Sequence, residues 1–127
     1  MKIVVDTGRY RDFCEGVPEA VGRFRSATQI IVPFVTLAEL RAGFLAGTEA
    51  GSNARVLATF LIRPRVRILF ADEDTSHHYA RIWMQLRRQG TPIPTNDLWI
   101  AALAVQHNLA LYSRDAHFDT LVQLVRA

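Results

Sequence analysis

Two periodicities alternate along the chain: short β-branched or aliphatic runs, and longer segments whose apolar residues recur every three or four positions. Lys2-Ile3-Val4-Val5-Asp6 has the pattern of a buried parallel strand ending in an acid. Arg9 to Glu15 reads as a short helix, and Pro18 suits the first turn of a second helix reaching about Ser26. Ile30-Ile31-Val32 is a strand stopped by Pro33. Phe34 to Ala46 is a helix with Leu37, Leu40 and Phe44 on one face. Gly47 to Asn53 punctuates, and Ala54 to Ile62 reads as a further helix. Arg65 to Phe70 alternates as a strand. Asp74 or Thr75 is placed to cap a long helix from Ser76 to Arg88, whose apolar stripe is Tyr79, Ile82, Trp83 and Leu86.

After the loop Gly90 to Pro94, a helix starts near Thr95-Asn96, runs to His107 and ends on a left-handed Asn108. Leu109 to Tyr112 is a strand, Asp115 to Thr120 a short helical turn, and Val122 to Val125 a last strand. Strands alternating with helices predict an α/β fold, a three-layer α/β/α sandwich around a central parallel sheet of four to five strands. No repeat, low-complexity tract or linker interrupts it, so residues 1–127 are expected to form a single domain.

Composition narrows the class. The 127 residues are 50% hydrophobic and 21% charged, as in an ordinary water-soluble domain. The one cysteine, Cys14, excludes an internal disulfide and a cysteine zinc cage, and is expected to be a small buried hydrophobe. No basic-then-apolar leader opens the chain, and no apolar run approaches the roughly 20 residues that cross a bilayer. A cytoplasmic protein without membrane association is the expectation. Lys2 is the only lysine, so fourteen of the fifteen basic residues are arginines, with clusters at Arg9/Arg11, Arg23/Arg25, Arg63/Arg65/Arg67 and Arg87/Arg88. Arginine offers a planar fork suited to phosphate oxygens, although solvated helix faces use it as well.

Four acids stand at special places. Ligands of open α/β sheets gather beyond the carboxyl ends of the strands, where Asp6 and Asp115 are expected; either one taken alone is better explained as a turn or cap residue. Glu39 has Val35, Thr36, Ala42 and Gly43 as helical neighbours, a small and mostly apolar surface on which a carboxylate is costly unless paired, neutralised or metal-bound. An exposed Glu at the helix edge is the alternative. Asp97 follows Thr95 and Asn96, either of which can cap the helix, so capping does not explain it. Converging carboxylates repel and raise each other's pKa. A divalent cation relieves that, and oxygen-only ligation selects Mg²⁺ or Mn²⁺ over zinc. The four histidines offer no competing site, because no pair has metal-ligand spacing.

Taken in order, Val5-Asp6-Thr7, Thr36-Leu37-Ala38-Glu39-Leu40, Pro94-Thr95-Asn96-Asp97-Leu98-Trp99-Ile100-Ala101-Ala102 and Tyr112-Ser113-Arg114-Asp115 with Phe118-Asp119 resemble the PIN-domain family, and within it the VapC-like toxins of toxin–antitoxin systems. The resemblance spans nearly the whole chain. It implies a Mg²⁺- or Mn²⁺-dependent endoribonuclease with Asp6, Glu39, Asp97 and Asp115 as catalytic, metal-holding acids. It further implies support from Thr7, Asn96, Ser113 and Asp119, an RNA substrate, a cognate VapB-like antitoxin and a homodimer. Arg9, Arg11 and Arg114 are candidates for RNA phosphate contacts. One position departs: Gly8 stands where the family usually has Asn or Ser, removing a polar side chain and loosening the turn beside Asp6. Gly8 sustains a second reading, a catalytically impaired module that binds RNA or an antitoxin without cleaving. A receiver domain is disfavoured, since Thr7-Gly8 replaces an acidic pair and no late lysine exists; no Gly-rich loop supports nucleotide binding.

Overall fold

A computed structural model describes residues 1–127. Its elements in chain order are β1 (Lys2–Val5), α1 (Thr7–Cys14), α2 (Pro18–Ser26), β2 (Gln29–Pro33), α3 (Phe34–Ala46), α4 (Ala50–Leu61), β3 (Val66–Leu69), α5 (Glu73–Gln89), α6 (Thr95–Gln106) and β4 (Ala110–Tyr112), then a 3₁₀ turn, Ala116–Thr120. The four strands are parallel in the order β3-β2-β1-β4. Alternation along β1 divides the interior: Val4 packs with Ile31, Leu111 and the α5/α6 side, whereas Ile3 and Val5 pack with Tyr10, Phe24, Leu40 and Phe60 on the opposite side. Both faces of the sheet are covered, which is why its strands read as continuous apolar runs.

Helix α6 is apolar all round, with Leu98 and Ile100 to Ala104 buried. Its alanines at 101, 102 and 104 are 0%, 0% and 1% exposed, small enough to let the helix lie close between α5 and the sheet. This packing carries Asp97, in the first turn of α6, to the same end of the sheet as the carboxyl end of β1.

Several boundaries differ from the sequence reading, each for a local reason. Helix α1 begins at Thr7 because the Asp6 carboxylate caps it, accepting from the Arg9 amide at 2.9 Å. Gly8 is therefore helical, in no turn to be loosened, and a Cβ there would meet Asp6 Oδ1 and Arg114 Nε at ordinary distances of 3.7 and 3.8 Å. Gly8→Ala should stabilise the fold by about 0.5 kcal/mol, read as a rise in the urea midpoint, because alanine loses less backbone freedom in a helix.

Helix α4 starts at Ala50, four residues earlier than expected, since Leu57 and Phe60 anchor it in the core despite its weak helix formers. Helix α5 starts at Glu73: Asp72 is the cap, and Thr75 returns its hydroxyl to the Asp72 amide at 2.9 Å in a reciprocal capping box. Thr95 and Asn96 do not cap α6, which follows Pro94 with no side-chain cap. Asn108 is left-handed as expected, at φ 53°. Val122 to Val125 form no strand; a single bridge joins Leu111 to Arg126, and Val122 is 93% exposed because no neighbouring strand accepts it. Trp83 lies at the edge of the α5 stripe, partly exposed under Arg87, and Cys14 is exposed at the end of α1 rather than buried. No helix is long and apolar enough to cross a membrane.

Candidate active site

The four acids reach one pocket from four elements. Asp6 follows β1 directly and holds two roles at once: Oδ1 caps α1, and Oδ2 accepts a hydrogen bond from Ser113 Oγ. The Ser113 hydroxyl also accepts from the Asp115 amide at 3.0 Å, so one buried serine fixes the spacing of two acids. Buried Thr36 donates to the Val5 carbonyl at 3.2 Å and pins α3 to the end of β1. Glu39 lies three residues on, hence on the same face of α3. Asp97 enters from the first turn of α6, where the helix dipole favours an anion. Asp115 caps the 3₁₀ turn by accepting from the His117 amide at 2.9 Å.

The resulting cavity of about 230 Å³ is lined by Asp6, Thr7, Gly8, Glu39, Asp97, Ile100, Arg114 and Asp115. Only Ile100 among these is hydrophobic. A larger cavity of about 420 Å³ between α2, α4 and β3, with Phe13, Phe24 and Phe60 in its wall, holds no acid. Chemistry, not size, therefore selects the smaller one.

Electrostatics in this pocket are strained. Burial raises the pKa of Glu39, and the negative charges of Asp97 and Asp6 raise it further; Arg11 and a hydrogen bond from Asn96 oppose the shift. Burial also raises Asp97, with Asp115 and Asp6 adding to it, against a hydrogen bond from His117. The cost expected for a carboxylate on the small face of α3 is thus present. The positive group that tempers Glu39 is Arg11, brought close because α3 has Gly43 there: a Cβ would come within 2.9 Å of the Arg11 guanidinium.

The supporting residues divide. Thr7 lies in the wall, its Oγ1 buried and without a protein hydrogen-bond partner. Asn96 does not cap its helix and instead acts on Glu39, whose pKa its side chain lowers. Asp119 stays outside the pocket lining, 68% exposed and paired with Arg126 at 2.9 Å. Arg9 does not project toward a phosphate, contrary to the expectation for it. Its guanidinium stacks 4.2 Å over the Tyr112 ring and pairs with buried Asp12 at 3.4 Å. Arg114 stays exposed at the pocket rim, tethered to Asp12 at 3.1 Å.

His117 is the residue that sequence reasoning missed, since histidine spacing gave no competing site. Its Nδ1 lies 2.8 Å from Asp97 Oδ2 and 3.0 Å from Asp115 Oδ1, and these contacts raise its pKa, the Asp97 hydrogen bond most. The signal available was Asp115-x-His117 at the start of a helical turn, where a capping Asp turns back over the residue two positions on.

A sequence profile of the PIN domain matches residues 3–123. Ribonuclease VapC5 of Mycobacterium tuberculosis is 35% identical over 119 residues, which cover 94% of this chain and 81% of that protein. Ribonuclease VapC4 of the same organism is 39% identical over 90 residues, 71% of this chain and 69% of that one. Among solved structures, the DNA-bound VapBC of Salmonella typhimurium superposes with a TM-score of 0.88 at 25% identity, covering 100% of this chain and 97% of the other. VapBC-5 of Mycobacterium tuberculosis, a toxin–antitoxin complex, superposes at 0.73 with 30% identity, covering 99% and 98%.

Proposed function

We propose that this chain, which belongs to the PIN-domain family and within it to the VapC ribonucleases, is a divalent-metal-dependent endoribonuclease and the toxin of a toxin–antitoxin pair. The observation that carries this reading is the convergence of Asp6, Glu39, Asp97 and Asp115 on one pocket from four separate elements. Burial and neighbouring negative charge raise the pKa of two of them, Glu39 and Asp97, as a pocket built for a cation would. The donor set fits the ion: carboxylate oxygens suit Mg²⁺ or Mn²⁺, and Thr7 Oγ1 adds a buried oxygen with no other partner.

Asp6, Glu39, Asp97 and Asp115 would hold the ion, which when bound supplies Lewis acidity toward the phosphodiester and the attacking water. The protein's own part is placement. Ser113 keeps Asp6 and Asp115 at fixed separation, and Thr36 sets α3 so that Glu39 faces them. Asp97 and Asp115 are the acids assigned to orienting the water. Arg114, exposed beside Gly8, is placed to contact a phosphate of the strand, and its tether to Asp12 limits the freedom lost on binding.

An RNA substrate and a VapB-like antitoxin are the partners assigned here, supported by relatives named as ribonucleases and by neighbours solved as VapBC complexes. A homodimer in the cytoplasm, with residues 1–127 as one domain, completes the reading. Purified protein should cleave RNA in Mg²⁺ or Mn²⁺, and a chelator should stop cleavage completely and reversibly. Cleavage that persists in chelator refutes metal dependence; RNA binding without cleavage in either ion would establish the non-cleaving module instead.

A further inference from the structure

We infer that His117 is itself a cation ligand, its imidazole Nδ1 joining the carboxylates of Asp97 and Asp115 to give the site a preference for Mn²⁺ over Mg²⁺. The inference rests on the proposal that these acids hold a divalent ion, and it concerns which ion they select.

Three ligand atoms converge. The Nδ1 atom lies 2.8 Å from Asp97 Oδ2 and 3.0 Å from Asp115 Oδ1, and the three groups can present ligand atoms within 4.8 Å of one another. An imidazole nitrogen carries at most one proton, which between two oxygens gives only a shared, three-centre hydrogen bond. Two anionic oxygens at bonding distance from the same nitrogen therefore divide a single hydrogen bond between them. A shared cation uses all three. Neighbouring ligands in an octahedron with bonds of about 2.1 Å are about 3.0 Å apart, and both Nδ1–oxygen separations match that edge. With the proton on Nε2, the Nδ1 lone pair faces the same point as the two carboxylates.

The ring is also held there. The His117 amide donates to Asp115 Oδ1 at 2.9 Å, so ligand and ligand-bearing backbone are fixed together. Phe118, the next residue, is buried in the core at 1% exposure and anchors the short turn. Ligand chemistry then sets the selectivity. Mg²⁺ prefers oxygen and keeps its waters, whereas first-row transition ions accept imidazole readily. A pocket of carboxylates alone would lack that discrimination.

The test uses the whole protein with Mn²⁺ as the probe, read by electron paramagnetic resonance titration and by the ¹⁴N modulation of the electron spin echo. Wild-type protein should bind Mn²⁺ and show modulation from one directly bound imidazole nitrogen. His117→Ala should lose that modulation and bind Mn²⁺ about tenfold more weakly or worse, while Mg²⁺ affinity, measured by competition, moves by less than about threefold. Mn²⁺ bound by wild-type protein without nitrogen modulation would overturn the inference and leave the nuclease reading standing; so would an equal loss of affinity for both ions in the variant. Failure of wild-type protein to bind Mn²⁺ or Mg²⁺ at all would overturn both.

Discussion

Asp97→Asn should lower metal-dependent RNA cleavage roughly a thousandfold, ~4 kcal/mol of barrier, while leaving the fold intact. The substitution keeps the shape of the side chain and an oxygen able to accept from His117, but removes one negative charge from the cation's surroundings. The same variant should be more stable than wild type when metal is chelated, by an amount that grows with pH. Asp97 and Glu39 both have pKa values raised in the folded state by burial and by neighbouring acids. Their favourable contribution is full below the ordinary values of 3.8 and 4.5 and is lost as pH rises through the folded values. His117, raised by Asp97 and Asp115, acts in the same direction, contributing below 6.5 and losing that contribution as pH climbs through its folded value. Asp72, lowered by Gln106 and Thr75, contributes above 3.8 and so stays constant across the neutral range. Urea unfolding of both proteins in chelator at pH 5 and pH 8 checks the sign. A variant that cuts RNA at the wild-type rate would remove Asp97 from the site, and a stability difference independent of pH would contradict the electrostatic account.

The complementary expectation is that Mn²⁺ stabilises the folded protein strongly. The pocket exists only after β1, α3, α6 and the segment following β4 have come together, so the unfolded chain offers the ion no comparable site. A ligand specific to the folded state at a hundred times its Kd adds about 2.7 kcal/mol. For a domain of this size each kcal/mol moves the melting midpoint by about 4 °C, giving a rise on the order of 10 °C. The rise should grow with pH, because the raised pKa values of Glu39 and Asp97 make the ion compete with protons, and it should be nearly absent in Asp97→Asn. Scanning calorimetry with and without Mn²⁺ measures it, and an unchanged midpoint at saturating ion would count against a cation in this pocket.

How far the sequence carried depended on whether a residue's role was written in its own neighbourhood. The layered parallel fold was legible because the apolar runs and the helical stripes do not overlap in period. Glu39 was legible because three- and four-residue neighbours on a helix are known without the tertiary structure, and Val35, Thr36, Ala42 and Gly43 leave a carboxylate no local partner. Asp6 and Asp115 were placed by the ends of their strands, and the structure adds that each is also a cap. Capping and lining the pocket are therefore one arrangement and not alternatives.

What failed was decided across elements. Arg9 is held by Tyr112 of β4, a contact that no local pattern announces. His117 meets Asp97 twenty positions away, so histidine-to-histidine spacing was the wrong measure. The sequence points to Asp74 or Thr75 as the cap of α5; Asp72 caps it instead, because Thr75 falls three residues later and its hydroxyl accepts from the Asp72 amide. Valines at 122 and 125 have strand chemistry, yet pairing needs a neighbour in register, and beyond β4 only Arg126 finds one.

The position of β1 has a consequence for how the protein is made. This strand precedes the other three in the chain but sits inside the sheet, between β2 and β4, and the acid that follows it waits for a serine 107 positions later. During translation the growing chain can pair β1 with β2 on one side while the other edge stays open until Ala110 to Tyr112 leave the ribosome. At about 5–20 residues per second, that interval lasts several seconds. Through it the nascent chain holds Asp6 and Glu39 but lacks Asp115 and the Ser113 link. The pocket closes only once the segment after β4 has emerged, so until then the nascent chain carries an unfinished acidic site.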